Sequence, residues 1–268
     1  MDRLGYSTPS ISVHALRIDG TTATDGAETV AEETPISLAY NGVSHAVMMA
    51  TPDDLEDFAV GFSLTEGVVD SADALSSITV VRYSRGVELQ IETAVPLATA
   101  PGRRRLSGRT GCGICGKQDV EDVLRALPRI DRPASFSAAA IARAMRELAT
   151  RQPLNQATGA VHAAGWASAD GAVAFVREDV GRHNALDKLV GALARAPVRA
   201  DEGFVVLTSR GSFELVQKAA VLGVPLLATV SAPTGLAIRM AHDAGMTLAG
   251  FARDSRVTVY THHDRIIV

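Results

Sequence analysis

Cysteine is nearly absent from this chain, with two among 268 residues. Two thiols in a reducing compartment read as catalytic or metal-binding rather than as a structural disulfide. Aromatic residues are scarce too, at 4%, and Trp166 is the only tryptophan. Ala, Val and Leu must therefore form the core, which suits helices packed on a sheet. The same scarcity leaves too few rings for a base-stacking surface. There is no basic excess, because the net charge is -4, and this argues against a nucleic-acid partner. No apolar run reaches the ~18 residues of a spanning helix. The most apolar stretch, Ala219 to Ala232, is broken by Gly223 and Pro225. The start, Met1-Asp2-Arg3-Leu4-Gly5, is not followed by an apolar run and a small-residue cleavage site. No signal peptide and no membrane partner are expected, and the expected location is cytoplasmic. No internal repeat is visible.

What is present is ordinary for a globular protein: 47% hydrophobic and 21% charged residues, on a chain long enough for a sizeable core. The N-terminal third reads as strands over Ile11 to Ile18, Ile36 to Tyr40 and Ala46 to Ala50, with a hairpin turn at Asn41-Gly42. Thr51-Pro52-Asp53-Asp54 opens a helix that stops at Gly67. Ile78 to Tyr83 and Val87 to Ile91 form a second hairpin around Arg85-Gly86. Residues 93–117, rich in Pro, Gly and Arg, predict a mobile loop, followed by a helix from about Asp119 to Leu127. Ala138 to Leu148 is strongly helical.

From about residue 158 helix and strand alternate. Helices are expected near Gly159 to Trp166, Asn184 to Arg195, Ser212 to Leu222 and Leu236 to Ala244. Strands are expected at Val173 to Val176, Phe204 to Thr208, Pro225 to Val230, Thr247 to Phe251 and Val257 to Tyr260. The fold class is therefore α/β, a mixed and largely parallel sheet with helices on both faces, plus a smaller strand-rich N-terminal part. The division falls between 1–135, which ends in the loop and its helix, and 136–268. In such sheets ligands sit at the carboxyl ends of the strands.

Four motifs carry candidate chemistry. Cys112 and Cys115 stand in Thr110-Gly111-Cys112-Gly113-Ile114-Cys115-Gly116-Lys117, with Arg103, Arg104, Arg105 and Arg109 upstream. The glycines let another molecule approach, and the cations favour the thiolate, the reactive form. Sulfur transfer or thiol redox chemistry fits this loop. Half of a zinc site is the alternative, but a closed site wants four ligands and there is no second C-x-x-C. The histidines His162, His183, His242, His262 and His263 show no H-x-x-x-H spacing.

The string Arg177-Glu178-Asp179-Val180-Gly181-Arg182-His183-Asn184-Ala185-Leu186-Asp187-Lys188 follows a strand and opens a helix. It reads as too dense in polar groups to be core. Arg182, His183 and Asn184 are candidate anion ligands beside free backbone amides; a charged helix start capped by Asn184 is the plainer alternative. Ser209 and Arg210, in Thr208-Ser209-Arg210-Gly211-Ser212, repeat the strand–turn–helix pattern and can cradle a phosphate. Phe251-Ala252-Arg253-Asp254-Ser255-Arg256 offers two arginines for a diphosphate and a ring for a base, unless it is a solvated hairpin turn. His162 has Ala164 two places on, where a zinc deaminase carries glutamate, which argues against that mechanism; it stays a candidate cofactor-site residue, with a satisfied buried histidine as the plainer alternative.

Taken together and in this order, the motifs resemble the formate dehydrogenase accessory sulfurtransferase family. The resemblance runs from Glu33-Thr34-Pro35-Ile36 through Cys112-Gly113-Ile114-Cys115-Gly116, Thr158 to Ala164, Glu178 to Lys188 and Ser231-Ala232-Pro233-Thr234 to Val259-Tyr260-Thr261. It implies a cytidine deaminase-like core without zinc, and homodimers. It implies sulfur taken as a persulfide from a cysteine desulfurase. That sulfur passes to a molybdenum bis(molybdopterin guanine dinucleotide) cofactor destined for formate dehydrogenase. By likeness Cys112 carries the persulfide, Cys115 assists, and Phe251 to Arg256 contact the cofactor, whose nucleotide half GDP would mimic.

Overall fold

The computed structural model describes residues 8–94, 106–107, 127–130 and 134–268. Cys112, Cys115, their arginines and the helix expected after them lie outside the described residues.

The chain opens as an antiparallel ribbon of β1 (Ser10–Asp19) and β2 (Thr22–Ala31), paired residue for residue from Ser10↔Ala31 to Asp19↔Thr22. The polar sequence Thr22-Ala23-Thr24-Asp25-Gly26 gives no alternation, so β2 was not expected; the backbone ladder makes it a strand.

Next comes a five-stranded sheet in the order β5-β6-β3-β4-β7. Its strands are β3 (Thr34–Tyr40), β4 (Val43–Ala50), β5 (Leu75–Tyr83), β6 (Gly86–Thr93) and β7 (Leu106–Ser107). The β3–β4 turn uses Asn41 and Gly42, with φ of 48° and 75°. Positive φ at both central residues is what a tight hairpin with the native strand twist demands. Helix α1 (Leu55–Thr65) packs Phe58, Ala59 and Phe62 on this sheet against Ile36, Leu38, Leu89 and Ile91. It ends as expected, with Gly67 at φ 66°.

The second sheet has six strands in the order β10-β9-β11-β12-β13-β14. They are β9 (His162–Ser168), β10 (Val173–Asp179), β11 (Gly203–Leu207), β12 (Leu226–Thr229), β13 (Thr247–Arg253) and β14 (Arg256–Val259). It is mixed. Only β11–β12 and β12–β13 are parallel; the outer pairings are antiparallel. The small remaining pair is β8 (Phe136–Ser137) with β15 (Ile266–Ile267).

Side chains alternate across the six strands, as the period of two requires. Phe204 and Val206 face α2 (Ala138–Thr150), whose Ile141, Ala144 and Leu148 cover one side. Val205 and Leu207 face the other side, covered by α4 (Arg182–Ala194), α5 (Phe213–Val221) and α6 (Gly235–Asp243). The short α3 (Pro153–Thr158) ends at Gly159, φ 65°. The expected helix at Gly159 to Trp166 is instead strand β9. Its alanines and Gly165 suit a helix by propensity, but tertiary packing decides. Gly165 lies in the sheet with Leu148 and Val206 so close that an added Cβ would meet them at 3.1 and 3.2 Å.

The two sheets meet through α1 and α4. A Cβ on Gly61 would fall 1.7 Å from the Asp187 carbonyl oxygen, and one on Gly191 would fall 1.9 Å from that of Asp57. The helices therefore touch backbone to backbone. No helix among the described residues is long and apolar enough to cross a membrane.

Candidate functional site

The topology brings the candidate turns to one edge. β10, β11, β12 and β13 all run in the same direction, so their carboxyl ends lie side by side, and β9 begins there. Asp179 at the end of β10 pairs with His162 at the start of β9. Thr208, just past β11, donates its N–H to the Ala163 carbonyl at 3.1 Å. The turns are also tied to one another. Gly211 donates to the Ala232 carbonyl at 3.2 Å and accepts from Thr234 N–H at 2.9 Å, and Phe251 N–H reaches the Ser231 carbonyl at 3.3 Å. Thr234 caps α6, its hydroxyl accepting from Ala237 N–H at 3.3 Å.

His162, Arg182 and His183 occupy the β9–α4 side of this edge. Burial holds His162 below the ordinary histidine range, helped by the charges of Arg182 and His183 and opposed by Asp179. His183 is more deeply buried and is also held neutral, mainly by burial. In the middle, Ser209 is buried and its hydroxyl donates to the Arg210 carbonyl at 3.1 Å, while the Arg210 side chain is exposed.

On the far side Phe251 and Asp254 adopt left-handed φ of 51° and 54°. Strained backbone of this kind survives only where its surroundings fix it. Here Arg253 Nε donates to the Val230 carbonyl at 3.0 Å, and Arg146 Nη1 of α2 reaches the Asp254 carbonyl at 3.5 Å. The exposed Phe251 ring carries the Arg256 guanidinium 5.9 Å from its centroid. Arg253, Asp254, Ser255 and Arg256 are exposed, whereas Ala252 is buried in the α2-facing core.

The polar string of β10 and α4 divides between site and interior, which corrects the expectation that it is too polar to be core. Asp179 and Lys188 form an ion pair of 2.7 Å with both side chains fully buried. Around them Thr51 N–H donates to Asp179 at 2.9 Å, Lys188 Nζ donates to the Thr51 carbonyl at 2.9 Å, and Val180 N–H donates to the Thr51 hydroxyl at 3.1 Å. Asn184 does not cap the helix, whose N-cap is Gly181. Its amide nitrogen donates instead to the Met49 carbonyl at 2.9 Å and to Asp179 at 3.1 Å. Glu178 accepts from Leu154 and Asn155 N–H at the start of α3, at 3.0 and 2.8 Å.

One turn on, Asp187 accepts from Lys218 Nζ of α5 at 2.9 Å and from the Thr65 hydroxyl of α1 at 2.6 Å. Glu66 completes the cluster at 3.0 Å from Lys218. Burial works against the Lys218 charge, but Asp187 and Glu66 outweigh it and hold its pKa above the usual lysine value. Of the string, Arg182 and His183 remain for the edge.

Three partners were not assigned from sequence: Thr51, Lys218 and Glu214. Glu214 stands in the first turn of α5 and faces His183, Oε2 to Nε2 3.8 Å. The available signal was an acidic residue two places after the capping Ser212, where the helix dipole favours it.

The sequence model of the FdhD/NarQ family matches residues 31–267. The chain belongs to the FdhD/NarQ family. Among curated FdhD/NarQ relatives, the sulfur carrier protein FdhD of Xanthomonas axonopodis pv. citri (strain 306) is 55% identical over 239 residues, spanning 88% of this chain and 85% of that protein. The sulfur carrier protein FdhD of Variovorax paradoxus (strain S110) is 52% identical over 246 residues, spanning 91% and 88%. A crystal structure from Desulfotalea psychrophila, named for a formate dehydrogenase accessory protein, superposes with a TM-score of 0.77 at 27% identity, covering 96% of this chain and 99% of that one.

Proposed function

We propose that this protein is a cytoplasmic sulfurtransferase. It carries sulfur as a cysteine persulfide from a cysteine desulfurase to a molybdenum bis(molybdopterin guanine dinucleotide) cofactor, which formate dehydrogenase then receives. The observation that carries the reading is the gathering of Arg182, Ser209–Arg210 and Phe251–Arg256 at one sheet edge. That edge offers guanidinium groups for diphosphates and an exposed ring for a base. The names of the relatives support the sulfur chemistry, and the cationic, glycine-flanked thiol pair supplies its means.

Loading begins when the Cys112 thiolate attacks the terminal sulfur of the desulfurase persulfide. The desulfurase S–S bond breaks, its cysteine leaves as thiolate, and Cys112 holds the new S–S bond. Attack of the Cys115 thiolate on the inner Cys112 sulfur then forms a Cys112–Cys115 disulfide. The outer sulfur leaves as hydrosulfide, the species the cofactor's metal receives. The two protein thiols have supplied both electrons, and a small thiol reductant resets them. GDP serves as a mimic of the nucleotide half. A cytidine deaminase-like core without zinc, and a homodimer, belong to the same proposal.

The test is to incubate the reduced protein with a cysteine desulfurase and cysteine, then map thiol adducts by peptide mass spectrometry. One additional sulfur on the Cys112 peptide, lost on adding dithiothreitol and missing in Cys112→Ala, is the expected result. No adduct, with GDP still bound, would replace sulfur transfer by a cofactor-chaperone role.

A further inference from the structure

His183 enters the interior from the first turn of α4, and Glu214 from the first turn of α5. Their side chains are 7% and 13% exposed. His183 Nε2 makes no hydrogen bond, and Glu214 Oε2 stands 3.8 Å away. A charge-assisted N–H···O bond closes at about 2.7–2.9 Å, so the pair stops roughly 1 Å short of contact. A buried ring nitrogen left without a partner costs about 1–3 kcal/mol. One proton on that nitrogen would remove the cost and close the gap.

The charges around the ring disfavour the imidazolium. Burial disfavours the imidazolium most, and the cations Arg182 of α4 and Lys218 of α5 add to it; only Glu214 favours it. Asp187 of α4 and Glu66 of α1 are spent on Lys218, and Asp179 of β10 on Lys188. His162 of β9, itself held neutral chiefly by burial, feels the same Arg182 charge. Glu214 is ionised: burial pushes it up, but His183, the Ser212 hydroxyl and its own N–H outweigh that. An anion arriving at Arg182 neutralises one of the two cations that oppose protonation.

We infer that binding of a diphosphate-bearing ligand at this edge draws a proton from solvent onto His183 Nε2, with Glu214 closing on the imidazolium as its positioning residue. This rests on the reading that the edge holds diphosphates. It makes cofactor affinity depend on pH through a residue buried behind the ligand rather than through the ligand alone.

The measurement is calorimetric titration of the full chain with GDP, and separately with inorganic pyrophosphate. Each is run at pH 7.5 in two buffers of different ionisation enthalpy, which reports protons taken up on binding. The His183→Asn protein is the reference for protons exchanged by the ligands themselves. The wild type is expected to take up a substantial fraction of a proton more than His183→Asn. Its affinity is expected to fall as pH rises, by no more than about tenfold per unit for one linked proton. Glu214→Gln is expected to lose at least half of that uptake while keeping its circular dichroism spectrum, and His162→Asn is expected to retain it. Binding without excess uptake, or uptake that survives His183→Asn, overturns the inference. Pyrophosphate binding with uptake but no GDP binding keeps the proton coupling and sinks the guanine nucleotide reading. Failure of the wild type to bind either ligand sinks both.

Discussion

The start and the middle of α4 make opposite use of the same kinds of residue. Arg182 and His183, its first two residues, lie where the strands end, and His183 turns inward toward Glu214. Asp187 and Lys188, one turn on, are sealed inside with Asp179, Lys218 and residues of α1. Charge in the sealed region is complete: each ion has an opposite ion and hydrogen bonds to match. Charge at the edge is looser, with the Arg210 and Arg256 side chains exposed at its turns. The lesson is that polar density in a sequence does not by itself mark a ligand site. What marks one is the polar residue whose neighbours do not answer it.

The comparison breaks most visibly if the sealed pair is opened. Lys188→Met leaves Asp179 buried without its cation, and breaking a buried pair from one side costs about 3–5 kcal/mol. A loss of that size in urea unfolding is expected. A change under 1 kcal/mol would show that the interior charges are interchangeable with those of the edge. Next in size is the reverse case. Arg256→Ala, at an exposed position, is expected to change stability by no more than about 0.5 kcal/mol, and Arg182→Ala, half-buried, by less than the sealed pair. Each is expected to weaken GDP binding about tenfold or more, since a charge-assisted contact contributes about 1.5–3 kcal/mol. Unaltered GDP affinity by calorimetry would remove that residue from the site.

The smallest effect concerns acid. His162 and His183 are both held below the ordinary histidine pKa. The unfolded chain therefore takes up their protons first as pH falls. Stability contributed by these neutral rings is present above about pH 6.5, the unfolded value. It falls below that, by at most about 1.4 kcal/mol per unit per ring, until the folded rings protonate too. Urea unfolding at pH 7.5 and pH 5.5 is expected to show a smaller drop for His183→Asn than for the wild type.

Much of this architecture is legible from local signals. Asn41-Gly42, the helix start after Thr51-Pro52, the stop at Gly67 and the helix–strand alternation beyond residue 170 are all written in short-range chemistry. Strand β9 is not, because its Ala and Gly residues carry no strand preference and its partners lie up to 45 positions away. Strand β2 is invisible for the complementary reason: its side chains do not alternate, and only the ladder to β1 orders it. In the site, the arginines and turns are readable one by one. That Asn184 turns inward to Met49 is not, since that contact spans 135 positions. The His183–Glu214 gap depends on how two helices that start at different strands happen to converge.

The backbone contact between Gly61 and Gly191, with the Thr51–Asp179 bond beside it, also sets an order of events in synthesis. That bond joins residues 128 positions apart. The first sheet can pair its own strands early, but the inner side of α1 has no surface to rest on until α4 has been made. At about 5–20 residues per second, that wait is on the order of ten seconds for each new molecule. During it Asp57, Thr65 and Glu66 hold their charges and hydroxyl in water, so the half-made chain stays polar on the side that will later be sealed.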